Sequence, residues 1–378
     1  MLLEFGGYNF ISFKEGFSIS LRLGAGCPQH ISQGKEHANL LAIKGANASG
    51  KTTVLKAISF LCHFTTSSFN YKPDDAIPVD SYFNNKKDTE FYAIFEQDGK
   101  EYQYNLTLNV NEVVKEVLSI NNKDIVVREK DVLEILSNEF NELKVIKLRN
   151  NASFISIANQ YDLSCMKIVY SFFSKAFSNV VYDGLRNEMI DYRLVSKHYS
   201  ENEELLEFTK NILQKADTGI ENIVIIEQEN DETREVTHYP VFTYIIDGEE
   251  IPLIYDHQSS GVKALYKYLA AYKTALDEGG LLILDELDIN LHPDLLEAII
   301  KLFDDTSYNK HNAQLIFTTH NEKIMDKLKK YRLVFVNKED NESYLYRLDE
   351  TGEVIRNDRS LMPLYNSGSL GGKPKLKF

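Results

Sequence analysis

Apolar residues along this chain fall into three kinds of run. Leu40 to Ile43, Leu281 to Leu284, Leu315 to Phe317 and Leu333 to Val336 are short and contain no polar residue. Runs so short and so apolar predict strands buried on both faces, the kind that fill a parallel sheet. A second kind recurs at helical spacing: Val54, Leu55, Ile58 and Leu61; Leu205, Phe208 and Ile212; Leu265, Leu269 and Tyr272. Each set lines one side of a helix. A third kind alternates. Phe91 to Val110 turns at Asp98-Gly99 and Tyr244 to Tyr255 turns at Asp247-Gly248, which predicts two β-hairpins. Met1 to Phe5 reads as a first strand.

Between about Val113 and Ile220 the pattern changes. Leu133, Leu136, Phe140 and Leu143 also recur at helical spacing, and a helix is expected to end at Asp217 to Ile220 through its glycine. The chain then divides into an N-terminal part, 1–112, with a β lobe; a mostly helical insertion, 113–220, available for dimer or partner contacts; and a C-terminal part, 221–378. Strand and helix alternate in the outer parts. The fold class is therefore α/β, a mixed sheet flanked by helices with an antiparallel β lobe and a helical insertion.

One stretch gives this pattern chemistry. Gly45-Ala-Asn-Ala-Ser-Gly50-Lys51-Thr52 matches the P-loop pattern, with a strand before it and a helix after it. Glycines let backbone N–H groups curl around phosphates, and the helix N-terminus adds partial positive charge. Asn47, Ser49 and Thr53 complete the set expected around ATP. Lys51 is expected to reach the β- and γ-phosphates, and Thr52 to hold Mg²⁺. Leu281-Leu-Ile-Leu-Asp285-Glu286 is an apolar strand ending in two acids. Asp285 is expected on Mg²⁺, and Glu286 as the group that orients or deprotonates the attacking water.

Lys51 and Asp285 are separated by more than half of the chain. RecA-like and AAA+ enzymes bring these motifs closer, whereas ABC and SMC heads insert a lobe between them. Ser259-Ser260-Gly261, just before the helix that leads to Asp285, resembles an ABC signature, although Ser260 replaces its first glycine. Its expected task is to cap the γ-phosphate held by a second copy. Read alone, it is an ordinary helix cap. His320, one strand beyond Asp285, resembles the ABC switch histidine. Asp288 resembles the aspartate that works across the dimer interface, or it is a plain loop residue before Pro293.

Further stretches resemble one family: Asn9-Phe-Ile-Ser-Phe13, Lys215-Ala-Asp217-Thr-Gly-Ile220, Leu284-Asp-Glu-Leu-Asp288, Asn290-Leu-His-Pro293, Thr318-Thr-His320-Asn321 and Arg356 to Pro374. They look like the ATPases related to OLD proteins, among them RloA, AbiL-type abortive-infection ATPases and the AriA subunit of PARIS phage defence. The resemblance implies an ABC/SMC-type head that hydrolyses ATP with Mg²⁺ and pairs as a homodimer or higher homo-oligomer. It also implies a sensor or scaffold in antiviral defence that governs a separate effector, a Toprim-like nuclease or toxin, in answer to a phage-encoded trigger. OLD proteins carry a Toprim nuclease domain. Beyond His320 this sequence shows no glutamate followed by an Asp-x-Asp, and the pairs Asp74-Asp75 and Asp304-Asp305 lack a further acid or lysine at nuclease spacing. No intrinsic nuclease is expected.

Composition trims the alternatives. The 378 residues carry 42 Lys and Arg against 56 Asp and Glu, a net charge of −14. A surface so acidic disfavours DNA clamping of the kind SMC-type repair ATPases perform, because phosphate binding needs clustered cations. Lys373, Lys375 and Lys377 form one basic cluster, read as a solvated terminus. No apolar run is long enough for a membrane span. Three widely spaced cysteines suit neither a disulfide framework nor a zinc site, so a cytoplasmic location is expected.

Overall fold

The four apolar runs become strands of one sheet. The computed structural model describes residues 1–181, 184–185, 190–229, 234–289, 291–351 and 355–373. Strands β3 (Leu40–Gly45), β9 (Ala176–Ser178), β15 (Leu281–Leu284), β16 (Gln314–Thr318), β17 (Leu333–Glu339) and β18 (Glu342–Arg347) form a six-stranded sheet in the order β18-β17-β3-β16-β15-β9. All pairs are parallel except the hairpin β17–β18. Helix α2 (Lys51–Ser67) follows β3, and α7 (Ser260–Glu278) leads into β15. Helix α8 (Pro293–Asp304) and the short α9 (Ile324–Leu328) fill the returns to β16 and β17.

The absence of polar residues in these strands is explained by two cores. Leu41, Ile43, Leu281, Ile283, Ile316, Val334 and Val336 point into one, with α2. Leu40, Ala42, Leu282, Leu284, Leu315, Phe317, Leu333 and Phe335 point into the other, with α7, α8 and α9. Alternate positions serve opposite faces, so no position is left for a solvated side chain.

A seven-stranded antiparallel lobe covers the α2 side. Its order is β2-β1-β4-β5-β6-β7-β8, from β1 (Leu2–Tyr8), β2 (Phe17–Ser20), β4 (Thr89–Gln97), β5 (Lys100–Leu108), β6 (Val113–Ile120), β7 (Lys123–Glu129) and β8 (Val132–Leu136). The hairpin expected at Asp98-Gly99 is β4–β5.

The mostly helical segment expected from 113 to 220 therefore needs correction at its start. Leu133 and Leu136 lie in β8, and Phe140 and Leu143 in 3₁₀ turns over Asn138–Val145. Valines at 113, 114, 117, 126, 127 and 132 explain this, since β-branched side chains suit a pleated, half-buried surface. A boundary at 112 divides one sheet.

Helices follow: α3 (Phe154–Gln160), α4 (Lys167–Ser174), α5 (Tyr192–Glu201) and α6 (Glu203–Lys215). The short pairs β10 (Val180–Val181) and β11 (Gly184–Leu185) also lie here, and α1 (Gln29–Ser32) sits near the start of the chain. Helix α6 ends before its glycine. Ala216 is the cap and Asp217 takes the left-handed turn, with φ of 53°.

A three-stranded sheet, β12 (Asn222–Glu229), β13 (Val236–Ile246) and β14 (Glu249–Ile254), holds the second expected hairpin. Leu205, Leu213, Ile220, Ile223 and Phe242 share a core with α7, so residues on both sides of position 220 pack as one body. The C-terminal stretch returns to the head through α10 (Met362–Asn366).

Candidate functional site

The turn from β3 into α2 admits few residue types. A Cβ on Gly45 would lie 2.4 Å from the Val336 carbonyl oxygen and 2.5 Å from Ser49 Oγ. Gly50 has φ of 112°, and a Cβ there would meet Ser343 Oγ at 2.8 Å. Glycine at both places lets the backbone curl tightly at the head of α2. Ser343 supports the curl from behind. It donates to the Ser49 carbonyl at 2.7 Å and shares a 2.8 Å hydrogen bond with Ser12. The Asn9–Phe13 stretch thus braces the loop. Asn47 is exposed at its tip, and Thr53 is buried.

Lys51 Nζ donates to the Gly45 and Ala46 carbonyls, both at 3.0 Å. Burial pulls its pKa below the ordinary lysine value, while Asp285 and Glu286 push the other way. Ser49 Oγ is buried with no hydrogen-bond partner among the described residues. An orphaned hydroxyl, a concave backbone and a lysine held, among the described residues, by loop carbonyls fit a phosphate chain with its oxygen acceptors.

Thr52 and Asp285 meet across the sheet. Thr52 Oγ1 donates to Asp285 Oδ2 at 2.7 Å, and Thr318 Oγ1 donates to Oδ1 at 2.5 Å. Asp285 is 4% exposed. Asn179, just past the edge strand β9, grips its backbone on both sides. It accepts from the Asp285 N–H at 2.7 Å and donates to the Asp285 carbonyl at 3.0 Å. A carboxylate fixed by two hydroxyls beside a phosphate cradle suits Mg²⁺, which takes one or two protein oxygens and completes its shell with phosphate and water.

Glu286 has a left-handed backbone, with φ of 50°. Its N–H donates to Thr318 Oγ1 at 2.7 Å, so one threonine fixes both acids. His320 Nε2 lies 4.0 Å from Glu286 Oε1, and both side chains reach solvent. Asp288 accepts from the backbone N–H of His320 at 3.0 Å and of Asn321 at 3.1 Å, so it shapes the turn that carries the histidine within this chain.

Ser259 caps α7, accepting from Val262 N at 3.3 Å, and Ser259 and Ser260 are exposed while Gly261 is half-buried. Ser260 lines a cavity of about 220 Å³ together with Asp285 and Glu286, and no residue of the P-loop is in its lining. Sequence reasoning missed Asn179, Thr318 as a support of both acids, and Ser343. Thr318 lay inside a quoted motif, but nothing local marks Asn179 or Ser343.

Other expected features find ordinary places. His292 caps α8, and Asn290 lies outside the described residues. Asp304 pairs with Arg332, and Asp75 accepts from Lys72 N. Of the terminal basic cluster, Lys375 and Lys377 lie outside the described residues, as does Pro374 of the C-terminal motif.

A glycine cradle feeding a helix, gripped through a hydroxyl by an aspartate at the end of a nearby parallel strand, defines a P-loop nucleotide triphosphatase fold. A family model described as "AAA domain, putative AbiEii toxin, Type IV TA system" matches residues 40–326, and the chain belongs to this family. No curated protein sequence matches it. Among solved structures it is similar to the SMC head domain from Thermotoga maritima, with 14% identity and a TM-score of 0.44 over 92% of this chain and 98% of that one. It is similar also to the Smc head domain with an extended coiled coil bound to the C-terminal domain of ScpA, derived from Pyrococcus furiosus. There the identity is 12% and the TM-score 0.45, over 91% and 95% of the two chains. No described helix is long and apolar enough to cross a membrane.

Proposed function

We propose that this chain is an ATPase of the ABC/SMC type whose sites are completed by a second copy, and that it acts as the sensor or scaffold of an anti-phage system controlling a separate effector. The observation that carries the enzymatic part is the junction of Thr52, Asp285 and Thr318, which joins the P-loop to the acidic strand end with both carboxylate oxygens engaged.

The chain's own groups divide the work. Backbone N–H groups from Gly45 to Thr52 receive the phosphates, and Lys51 leaves its loop carbonyls to meet the γ-phosphate. Thr52 and Asp285 would hold Mg²⁺, which when bound would offset charge on the phosphate oxygens. Glu286 accepts the proton of the water that attacks the γ-phosphorus as the bond to the bridging oxygen breaks, giving ADP and phosphate. His320 stands beside Glu286 at the γ-phosphate end, and Asp288 fixes its turn. Ser259 and Ser260, exposed at a helix N-terminus beside the half-buried Gly261, suit an anion brought by another copy.

The defence role rests on the stretches resembling OLD-related ATPases and on membership in a family described by a toxin–antitoxin system. The acidic surface, with net charge −14, weighs against the DNA-clamping reading. The test is Lys51→Ala. It is expected to abolish tight ATP binding and hydrolysis by the purified protein, read by calorimetry and phosphate release. Wild-type values for both would sink the assignment.

A further inference from the structure

Lys44 is a lysine in a strand that has no other polar residue before the P-loop. It precedes Gly45 at the end of β3 and is 2% exposed. An aliphatic side chain would fill such a place without the cost of burying an ammonium. Its one hydrogen-bond acceptor among the described residues is the Asn321 carbonyl oxygen, 3.1 Å from Nζ. Asp288 and Glu322 favour its charge from a distance, while burial and Lys51 oppose it. The Asn321 carbonyl belongs to the turn whose two N–H groups are taken by Asp288. The turn carrying His320 is therefore held from both sides, its donors by a carboxylate and its acceptor by an ammonium. That ammonium is rooted one residue before the loop that Lys51 grips.

The far side of Lys44 faces the C-terminal stretch. The Tyr365 ring centroid lies 5.5 Å from Lys44 Nζ and 5.3 Å from Lys373 Nζ, a distance at which a ring face attracts a cation. Tyr365 is itself fastened. Its hydroxyl donates to the Gly372 carbonyl at 3.4 Å, and Gly372 N donates to Asn337 Oδ1 at 2.7 Å. Gly372 has φ of 71°, and a Cβ there would lie 2.7 Å from the Phe335 ring, so only glycine lets the stretch lie this close to β17.

We propose that Lys44 is a positioning residue for His320 in ATP hydrolysis, and that Tyr365 of the C-terminal stretch holds Lys44 in that role. This rests on the reading of the chain as an ATPase with His320 at the γ-phosphate. Lys44 acts through the Asn321 carbonyl and touches neither nucleotide nor water. Its loss should therefore fall on kcat rather than on ATP affinity.

The experiment compares purified wild type, Lys44→Met, Lys44→Arg, His320→Ala, Tyr365→Leu, Tyr365→Phe and the double variant K44M/H320A, each checked for folding by circular dichroism. ATP affinity and kcat are measured for each. K44M is expected to lower kcat roughly 10-fold with affinity within about 2-fold, and K44R to recover most of the loss. Y365L is expected to lower kcat about 3-fold or more, with Y365F close to wild type, because the ring and not the hydroxyl faces the ammonium. K44M/H320A should be no slower than H320A within about 2-fold, since two residues acting through one group are not additive. Multiplying effects, or a loss confined to affinity, overturns the proposal. If K44M does not fold, K44R and Y365L carry the test, and wild-type kcat in Y365L overturns it. A wild type that hydrolyses no ATP overturns the underlying ATPase reading, and an H320A variant with undiminished kcat overturns the placing of His320 at the γ-phosphate and this proposal with it. A slow H320A beside an unaffected K44M overturns this proposal alone.

Discussion

Glu286 sits where the backbone is least comfortable for a residue with a Cβ. Its positive φ costs on the order of 1–3 kcal/mol and persists only because surrounding bonds over-determine it. Thr318 supplies that constraint through the Glu286 N–H and ties the same hydroxyl to Asp285. The strained turn directs the Glu286 carboxylate toward His320 while Asp285 stays buried, so two adjacent acids take different tasks. Glu286→Gln is accordingly expected to retain ATP binding and slow turnover by about 10²-fold. Failure of the variant to bind ATP, measured by calorimetry, would show that the glutamate has another role.

Lys44 has a signature in stability as well. Its pKa is drawn down to about 8 from an ordinary 10.5 by burial. Between these values the unfolded chain binds a proton that the folded one has shed. The contribution of this group to stability therefore rises with pH across that window and is flat below it. Asp288, Glu322 and Lys51 surround position 44 in wild type and variant alike. Thermal unfolding of wild type should thus gain on Lys44→Met as pH increases from 8 to 10.5, and a constant difference would contradict the assignment.

Among the elements, the β lobe is fastened by one buried ion pair. Arg128 on β7 and Glu116 on β6 are fully buried and 2.9 Å apart. Arg128 also donates to the carbonyls of Lys130, Ala152 and Arg149. Glu116 accepts from Tyr104 at 2.7 Å and Ser153 at 2.5 Å, and burial beside this carboxylate pushes the Tyr104 pKa well up. Every lone pair has a donor, so removing one partner strands a charge. Glu116→Ala is expected to cost roughly 3–5 kcal/mol in urea unfolding, and E116L/R128M to recover most of it. A cost below about 1 kcal/mol would show that the pair is solvated in the folded protein.

The same lobe shows where sequence reading fails. Strands of the central sheet were legible because burial on both faces removes polar residues from them altogether. The β8 region was not, because Leu133, Leu136, Phe140 and Leu143 fit a helix by spacing, while cross-strand pairing with β7 decides the conformation of Leu133 and Leu136 and the other two fall in 3₁₀ turns. In the site, Gly45 to Thr52 and Asp285-Glu286 were legible because their spacing is set by phosphate geometry. Asn179 and Ser343 were not, since each owes its role to a strand neighbour far away in sequence.

At the scale of the whole molecule, Ser259 and Ser260 are exposed at the head of α7, yet Ser260 also lines a cavity with its own Asp285 and Glu286. Trans and cis action can be separated. A Ser259→Arg chain paired with a Lys51→Ala chain has one site with both defects and one with neither if the serine acts across the interface. Such mixed dimers should hydrolyse ATP at about half the wild-type rate. Complete inactivity would assign the serine to its own chain's site or couple the two sites strictly.

The sheet order has a consequence for synthesis. Strand β3 carries the P-loop between β16 and β17, both of which lie far later in the sequence. At synthesis rates of about 5–20 residues per second, β3 waits roughly tens of seconds for its neighbours. Through that interval the antiparallel lobe, whose strands pair mostly with near neighbours, can fold, while the apolar Leu40–Ile43 stretch has no sheet to enter. The nucleotide site is thus assembled only after β16 and β17 emerge, and an interrupted chain that stops before Leu333 lacks one of the two strands that hold its P-loop. Nascent and prematurely terminated products are inert by topology, and they are the species on which chaperones and proteases would act.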